Sequence, residues 1–152
     1  MPEISLQPIG TVEAPRTVTL DEGWGSVESR ILLRPDLRGA LRGLEDFSHV
    51  VVVTWLHQAA FDPARHLRRR PRGRADMPEI GIFAQRARDR PNPIGITAVE
   101  LLEVGEEFLR VRGLDAIDGT PVLDLKPYFP AFDRVEAPGF PAWAEELMKG
   151  YF

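Results

Sequence analysis

The segment Gly81-Ile82-Phe83-Ala84-Gln85-Arg86-Ala87-Arg88-Asp89-Arg90-Pro91-Asn92-Pro93-Ile94-Gly95 holds the densest set of groups suited to gripping a ligand. Pro91 and Pro93 flank Asn92, fixing two φ angles and removing two backbone donors. Gly95 lets the chain bend or lets another group come close to the backbone. Such stiffness suits a wall that presents the Asn92 amide and either Arg86 or Arg90 to a ligand. A well-made loop between two strands would carry the same residues, so local sequence leaves both readings open.

Other chemistries are more constrained. The three histidines, His49, His57 and His66, form no pair at metal-ligand spacing, and no His-Glu-x-x-His occurs. His49 opens an apolar run and reads as a satisfied structural imidazole. His57-Gln58 closes that run, where side chains can line the mouth of a site. The chain has no cysteine, which excludes a disulfide scaffold, a thiolate metal site and a cysteine nucleophile. No Gly-x-Ser-x-Gly elbow supports serine hydrolase chemistry, and there is no P-loop. Gly23-Trp24-Gly25-Ser26-Val27-Glu28 begins like a dinucleotide fingerprint, but Glu28 stands where the third glycine belongs and a strand follows instead of a helix. It reads as a turn, as does Asp118-Gly119-Thr120-Pro121. Asp124 and Lys126 share one strand face, as an internal ion pair or part of a structural network.

Charge is unevenly spread. The net charge is −4, yet residues 65–90 carry nine arginines against Asp76, Glu79 and Asp89. Six of those arginines, Arg65, Arg68, Arg69, Arg70, Arg72 and Arg74, fall within ten residues. Such a block cannot enter a core, because each guanidinium needs water or an anion. It is either a mobile, solvated loop or a phosphate-facing arm, since the arginine fork matches phosphate oxygens in pairs. The acidic remainder of the chain favours the second, because it would repel nucleic acid everywhere else.

The elements that must position these groups are short. With 14 Pro and 13 Gly among 152 residues, a helical bundle is excluded. Strands are expected over residues 4–12, 27–33, 49–56, 80–84, 94–104, 108–114 and 121–126. The run 49–56 is continuous and β-branched, and should be buried on both faces. A short helical piece is expected from Pro35 to just before Asp46, and a terminal helix over 142–149. Six or seven evenly spaced strands with little helix predict an antiparallel barrel or sandwich. One domain spanning 1–152 accommodates this length. No apolar run is long enough to span a bilayer and no secretory leader is visible, so a reducing cytoplasm is the expected location.

Read together, Gln7-Pro8-Ile9-Gly10, Leu44-Glu45-Asp46-Phe47-Ser48-His49, residues 81–84, Arg90-Pro91-Asn92-Pro93-Ile94-Gly95, Asp118-Gly119-Thr120-Pro121 and Asp124-Leu125-Lys126-Pro127-Tyr128 occur in an order that resembles the TsaA-like (YaeB-like, TrmO) family. The resemblance runs from about residue 6 to 133. It implies a mainly β protein: a small antiparallel barrel with short helices that binds S-adenosyl-L-methionine without a Rossmann fold, usually as a homodimer with the cofactor near the subunit interface. It also implies methylation of the exocyclic nitrogen of threonylcarbamoyladenosine, next to the anticodon of tRNA. The matching cofactor positions are Pro15, Arg16, Thr17, His57, Gln58, Arg86, Ile96, Asp118, Gly119, Thr120 and Pro121. Gln85 departs from the Thr or Ser common before the family's arginine. Longer members carry a further C-terminal domain, which is not expected here.

Within that resemblance the arginine run 65–74 reads as a tRNA-facing surface. Methyl transfer from a sulfonium is an in-line displacement, for which an enzyme mainly supplies positioning and a water-poor site and needs no metal. The acceptor nitrogen must shed a proton; Asn92, Asp118 and His57 are the candidate catalytic residues by type. A small-molecule or protein acceptor, or a non-catalytic module that grips RNA or S-adenosylmethionine, are the alternatives.

Overall fold

The computed structural model describes residues 1–152. Six strands close into a barrel: β1 (Gly10–Glu13), β2 (Glu28–Leu33), β3 (His49–Trp55), β6 (Ile94–Val104), β7 (Phe108–Arg112) and β8 (Pro121–Pro127). Their order is β1-β2-β7-β6-β3-β8, and every neighbouring pair is antiparallel. Closure leaves no sheet edge to template aggregation. β4 (Arg68–Arg69) and β5 (Ile80–Gly81) form a separate two-stranded ribbon. Three short helices complete the chain: α1 (Pro63–His66), α2 (Pro130–Asp133) and α3 (Ala142–Leu147).

The period-two pattern of β-branched residues builds the core directly. Val12, Ile31, Val50, Val52, Val99, Leu109, Val111 and Val122 point inward and are all but inaccessible. A satellite cluster of Trp24, Val27 and Ile117, with Tyr151 packed on it, closes one side of the barrel mouth. Gly95 is required where β6 passes β3, because a Cβ there would sit 2.6 Å from the Thr54 hydroxyl.

Several expectations need correction. β3 is fully buried on its inner side, with Val50 and Val52 at 0%, but only partly on its outer side, where Val51 is buried at 9% and Trp55 is 36% exposed. The outer wall of a single-layer barrel is open to solvent toward the end of the strand, at Trp55. The first strand begins at Gly10, not residue 4, since Pro8 has no amide to donate to a ladder. The segment 80–84 forms strand only at Ile80–Gly81 and then a 3₁₀ turn at Ile82–Ala84. The helical piece after Pro35 is two 3₁₀ turns, Pro35–Leu37 and Leu44–Asp46, because Gly39 and Gly43 adopt φ of +91° and +92° between them. Asp124 and Lys126 do pair, at 2.9 Å, but on the exposed outer wall and not internally. His49 is exposed as well, bonded through Nδ1 to the Ser48 hydroxyl at 2.7 Å.

Candidate functional site

Register places the candidate cofactor residues at one end of the barrel. Thr11 pairs with Pro121, Thr54 with Val122 and Trp55 with Ile94. The C-terminal ends of β1 and β3 therefore share a rim with the N-terminal ends of β6 and β8. Residues 14–17, 57–58, 96 and 118–121 all lie on that rim.

Backbone hydrogen bonds lace these segments together. The Asp118 N–H donates to the Arg16 carbonyl at 2.7 Å and the Gly119 N–H to the Val12 carbonyl at 2.8 Å. The Asp118 carboxylate in turn accepts from the Ala14 N–H at 3.0 Å. Thr120 is buried and donates its hydroxyl to the Ile117 carbonyl at 2.6 Å, so it braces the turn and Pro121 continues into β8. Arg86 donates to the Ile96 carbonyl at 2.5 Å. The Leu56 N–H donates to the Pro93 carbonyl at 2.7 Å, which brings the Asn92 loop beside the strand end carrying His57 and Gln58. Asn92, His57 and Gln58 are exposed, as are Pro15, Thr17, Arg86, Asp118 and Gly119.

Arg16 is held tightly. Its guanidinium lies 4.5 Å from the centre of the Trp24 ring and donates to the carbonyls of Glu22 and Gly23. The turn at residues 23–25, with no dinucleotide role, is the platform on which Arg16 rests. An open groove of about 620 Å³ beside the rim takes in Pro15 and Asp118 together with Glu13, Glu28, Arg30 and Arg110, but none of His57, Gln58, Arg86 or Ile96. Its wall is charged and self-paired: Glu28 accepts from Arg110 and Arg112, both at 3.0 Å, and the Arg112 bond holds its carboxyl below the ordinary range.

The arginine run folds into α1, β4 and a 3₁₀ turn at Pro71–Gly73, and most of its side chains have partners while facing solvent. Arg68 faces Glu79 at 3.0 Å, and Arg74 forks onto Asp76 with bonds of 3.0 and 2.6 Å. Arg70 donates to the Met77 carbonyl, and Arg72 lies near Asp21 and over the Tyr151 ring. Arg65 and Arg69 alone among the six keep their guanidinium groups without a protein partner. Arg90 is also turned inward, donating to the carbonyls of Gln85 and Ala87 at 2.9 and 3.2 Å, so it does not face a ligand.

Sequence reasoning missed several organising side chains. Gln85 is buried and its amide donates to the Arg69 and Ile80 carbonyls, both at 3.0 Å, clamping the ribbon to the residue before Arg86. His66 is buried too, accepting from the Asp62 N–H through Nδ1 with Nε2 3.8 Å from Asp89. Asp115 links Thr97 and Tyr151. The only sequence sign for Gln85 was its departure from the family residue at that position. No group of three His, Asp or Glu is arranged to hold a metal ion, and no helix is long and apolar enough to cross a membrane.

A closed antiparallel barrel that gathers polar loops at one rim, with no doubly wound sheet, defines a small β-barrel class distinct from Rossmann proteins. The chain belongs to the tRNA-methyltransferase O N-terminal domain family, whose model matches residues 11–134. A probable S-adenosyl-L-methionine-binding protein of Methanothermobacter thermautotrophicus is 47% identical over 137 residues, covering 88% of this chain and 96% of that protein. The tRNA (adenine(37)-N6)-methyltransferase of Escherichia coli is 46% identical over 97 residues, covering 60% of this chain and 40% of that enzyme. A crystal structure of TrmO from Pseudomonas aeruginosa superposes with a TM-score of 0.76 at 31% identity, covering 94% of this chain. The chain spans 62% of that crystallised protein.

Proposed function

We propose that this protein is an S-adenosyl-L-methionine-dependent methyltransferase acting on tRNA, with the exocyclic nitrogen of threonylcarbamoyladenosine beside the anticodon as acceptor. The observation that carries this reading is the convergence on one rim of Arg16, His57, Gln58, Arg86, Ile96 and residues 118–121, from segments far apart in sequence.

The donor set fits the cofactor. Ile94 and Ile96 are 40% and 50% exposed, giving an apolar surface for a purine beside the Arg86 guanidinium, which donates to the Ile96 carbonyl; the Asp118 carboxylate stands elsewhere on the same rim. An amino acid's carboxylate and ammonium groups suit those two charges. Nothing lies within 4 Å of where a Cβ on Gly119 would sit, so the turn leaves room for a ligand against its backbone. When bound, S-adenosylmethionine supplies an electrophilic methyl group. The protein's part is orientation: the Arg16–Asp118 and Arg86–Ile96 bonds fix the rim loops before a ligand arrives. Asn92 can hydrogen-bond an adenine or acceptor amide, and exposed His57 or Asp118 can take the proton the nitrogen releases.

Arg65 and Arg69, free of partners, are the strongest phosphate contacts; Arg68, Arg70, Arg72 and Arg74 shape the surface around them. A homodimer through the outer wall of β3 and β6 is supported by the apolar stripe of Val53, Trp55, Ile94 and Ile96, which adjoins the rim. A cytoplasmic location accords with a tRNA substrate and a chain without cysteine.

A second reading, a non-catalytic S-adenosylmethionine-binding module, is favoured by the relative of matching length, whose name records binding alone. Incubating the protein with labelled S-adenosylmethionine and tRNA separates the two. Label should enter tRNA bearing threonylcarbamoyladenosine and not tRNA lacking it; tight cofactor binding without transfer would favour the module.

A further inference from the structure

Asp115 stands at a junction that the proposed chemistry leaves unused. Its two oxygens accept from the Thr97 and Tyr151 hydroxyls, each at 2.6 Å. Thr97 adjoins Ile96, the residue whose carbonyl holds Arg86. Downstream of Asp115, Ala116 and Ile117 are buried and lead straight into Asp118. One carboxylate thus joins β6 at the rim to the segment that delivers the candidate turn.

Tyr151 touches the other side of the rim as well. Its ring packs on Trp24, Val27 and Ile117, and its carbonyl accepts from the Trp24 N–H at 2.8 Å. Gly150 accepts from the Gly23 N–H at 2.8 Å, so the tail pairs with the turn on which Arg16 rests. Arg72 of the ribbon segment lies 5.9 Å above the Tyr151 ring. Burial, helped by the Asp115 charge, raises the Tyr151 hydroxyl above its ordinary value, which keeps it a donor into the alkaline range.

We propose that Tyr151 is a positioning residue for the cofactor rim: through Asp115 and Trp24 it fixes the Asp118 turn, the Arg16 loop and β6 at Ile96 relative to one another. A partly buried carboxylate bonded from two different elements has one stable placement; with one donor gone it turns toward water and releases the segment it holds. This role rests on the proposed function, because the rim must hold the cofactor for its geometry to matter.

The test compares wild type, Tyr151→Phe and a core control, Val111→Ala, in two measurements. Hydrogen exchange on the free protein reads the latch itself. Tyr151→Phe should speed exchange of the Asp118 and Gly119 amides about tenfold while leaving β3 amides unchanged. Equal exchange at 118–119 in wild type and Tyr151→Phe overturns the proposal whatever the ligand. Titration with S-adenosylmethionine reads its consequence: affinity should fall about tenfold in Tyr151→Phe and stay near wild type in Val111→Ala, although the control melts lower. Wild-type binding that Tyr151→Phe retains in full overturns the positioning role and leaves the proposed function standing. Absence of binding by wild type overturns both.

Discussion

The Arg86 guanidinium donates to the backbone carbonyl of Ile96 across 2.5 Å, fastening the loop after β5 to the start of β6. The bond engages only part of a five-donor fork, so the remaining N–H groups are free for a ligand. The same arginine thus sets the rim's shape and offers it a positive charge.

Replacing Arg86 should weaken S-adenosylmethionine binding by about tenfold or more, since both the charge and the Ile96 tether are lost. Lysine should restore little, because a point charge on a flexible stem cannot hold the carbonyl and a carboxylate together. Titration of Arg86→Ala and Arg86→Lys checks this, with circular dichroism showing the barrel intact.

The ribbon arginines should separate into two groups. Alanine at Arg65 and Arg69 should weaken tRNA binding and lower its salt slope by roughly one per contact, leaving cofactor affinity nearly unchanged. Alanine at Arg74, already committed to Asp76, should change the slope little. Filter binding across a salt series measures both.

Gln85→Ala should destabilise the protein by about 1–3 kcal/mol, because the Arg69 and Ile80 carbonyls lose their shared donor in a buried setting. Urea unfolding provides the number. Weaker tRNA binding should accompany the loss, as the clamp holds the ribbon that bears Arg69.

Alkaline pH should act through Tyr151. Its value in the folded state lies above that in the unfolded chain, so the linked stability is complete below about pH 10 and is lost as pH rises further. Urea midpoints of wild type should fall between about pH 9 and 11, and those of Tyr151→Phe should fall less steeply. Matching curves for the two proteins would remove the linkage.

What the sequence makes legible is local. β6 matches its expected bounds, Ile94–Val104, because alternating apolar residues and a stiff proline entry specify a strand on their own. β3 is equally plain from its unbroken β-branched run. The arginine block leaves a loop and a phosphate-facing arm both open in the sequence, because the partners that shape it, Glu79, Met77 and Asp21 among them, lie outside it. The Tyr151–Asp115 bond spans 36 residues, and no spacing rule links such a pair. Resemblance supplies the rim residues one by one, whereas barrel register explains why they converge.

Whether the rim holds the cofactor is read by calorimetric titration of the purified protein with S-adenosyl-L-methionine. Saturable binding of one molecule per subunit, weakened in Arg86→Ala, is the expected result. Failure of the wild-type protein to bind either S-adenosylmethionine or its demethylated product would contradict it, leaving the barrel's rim without the cofactor on which the proposed chemistry depends.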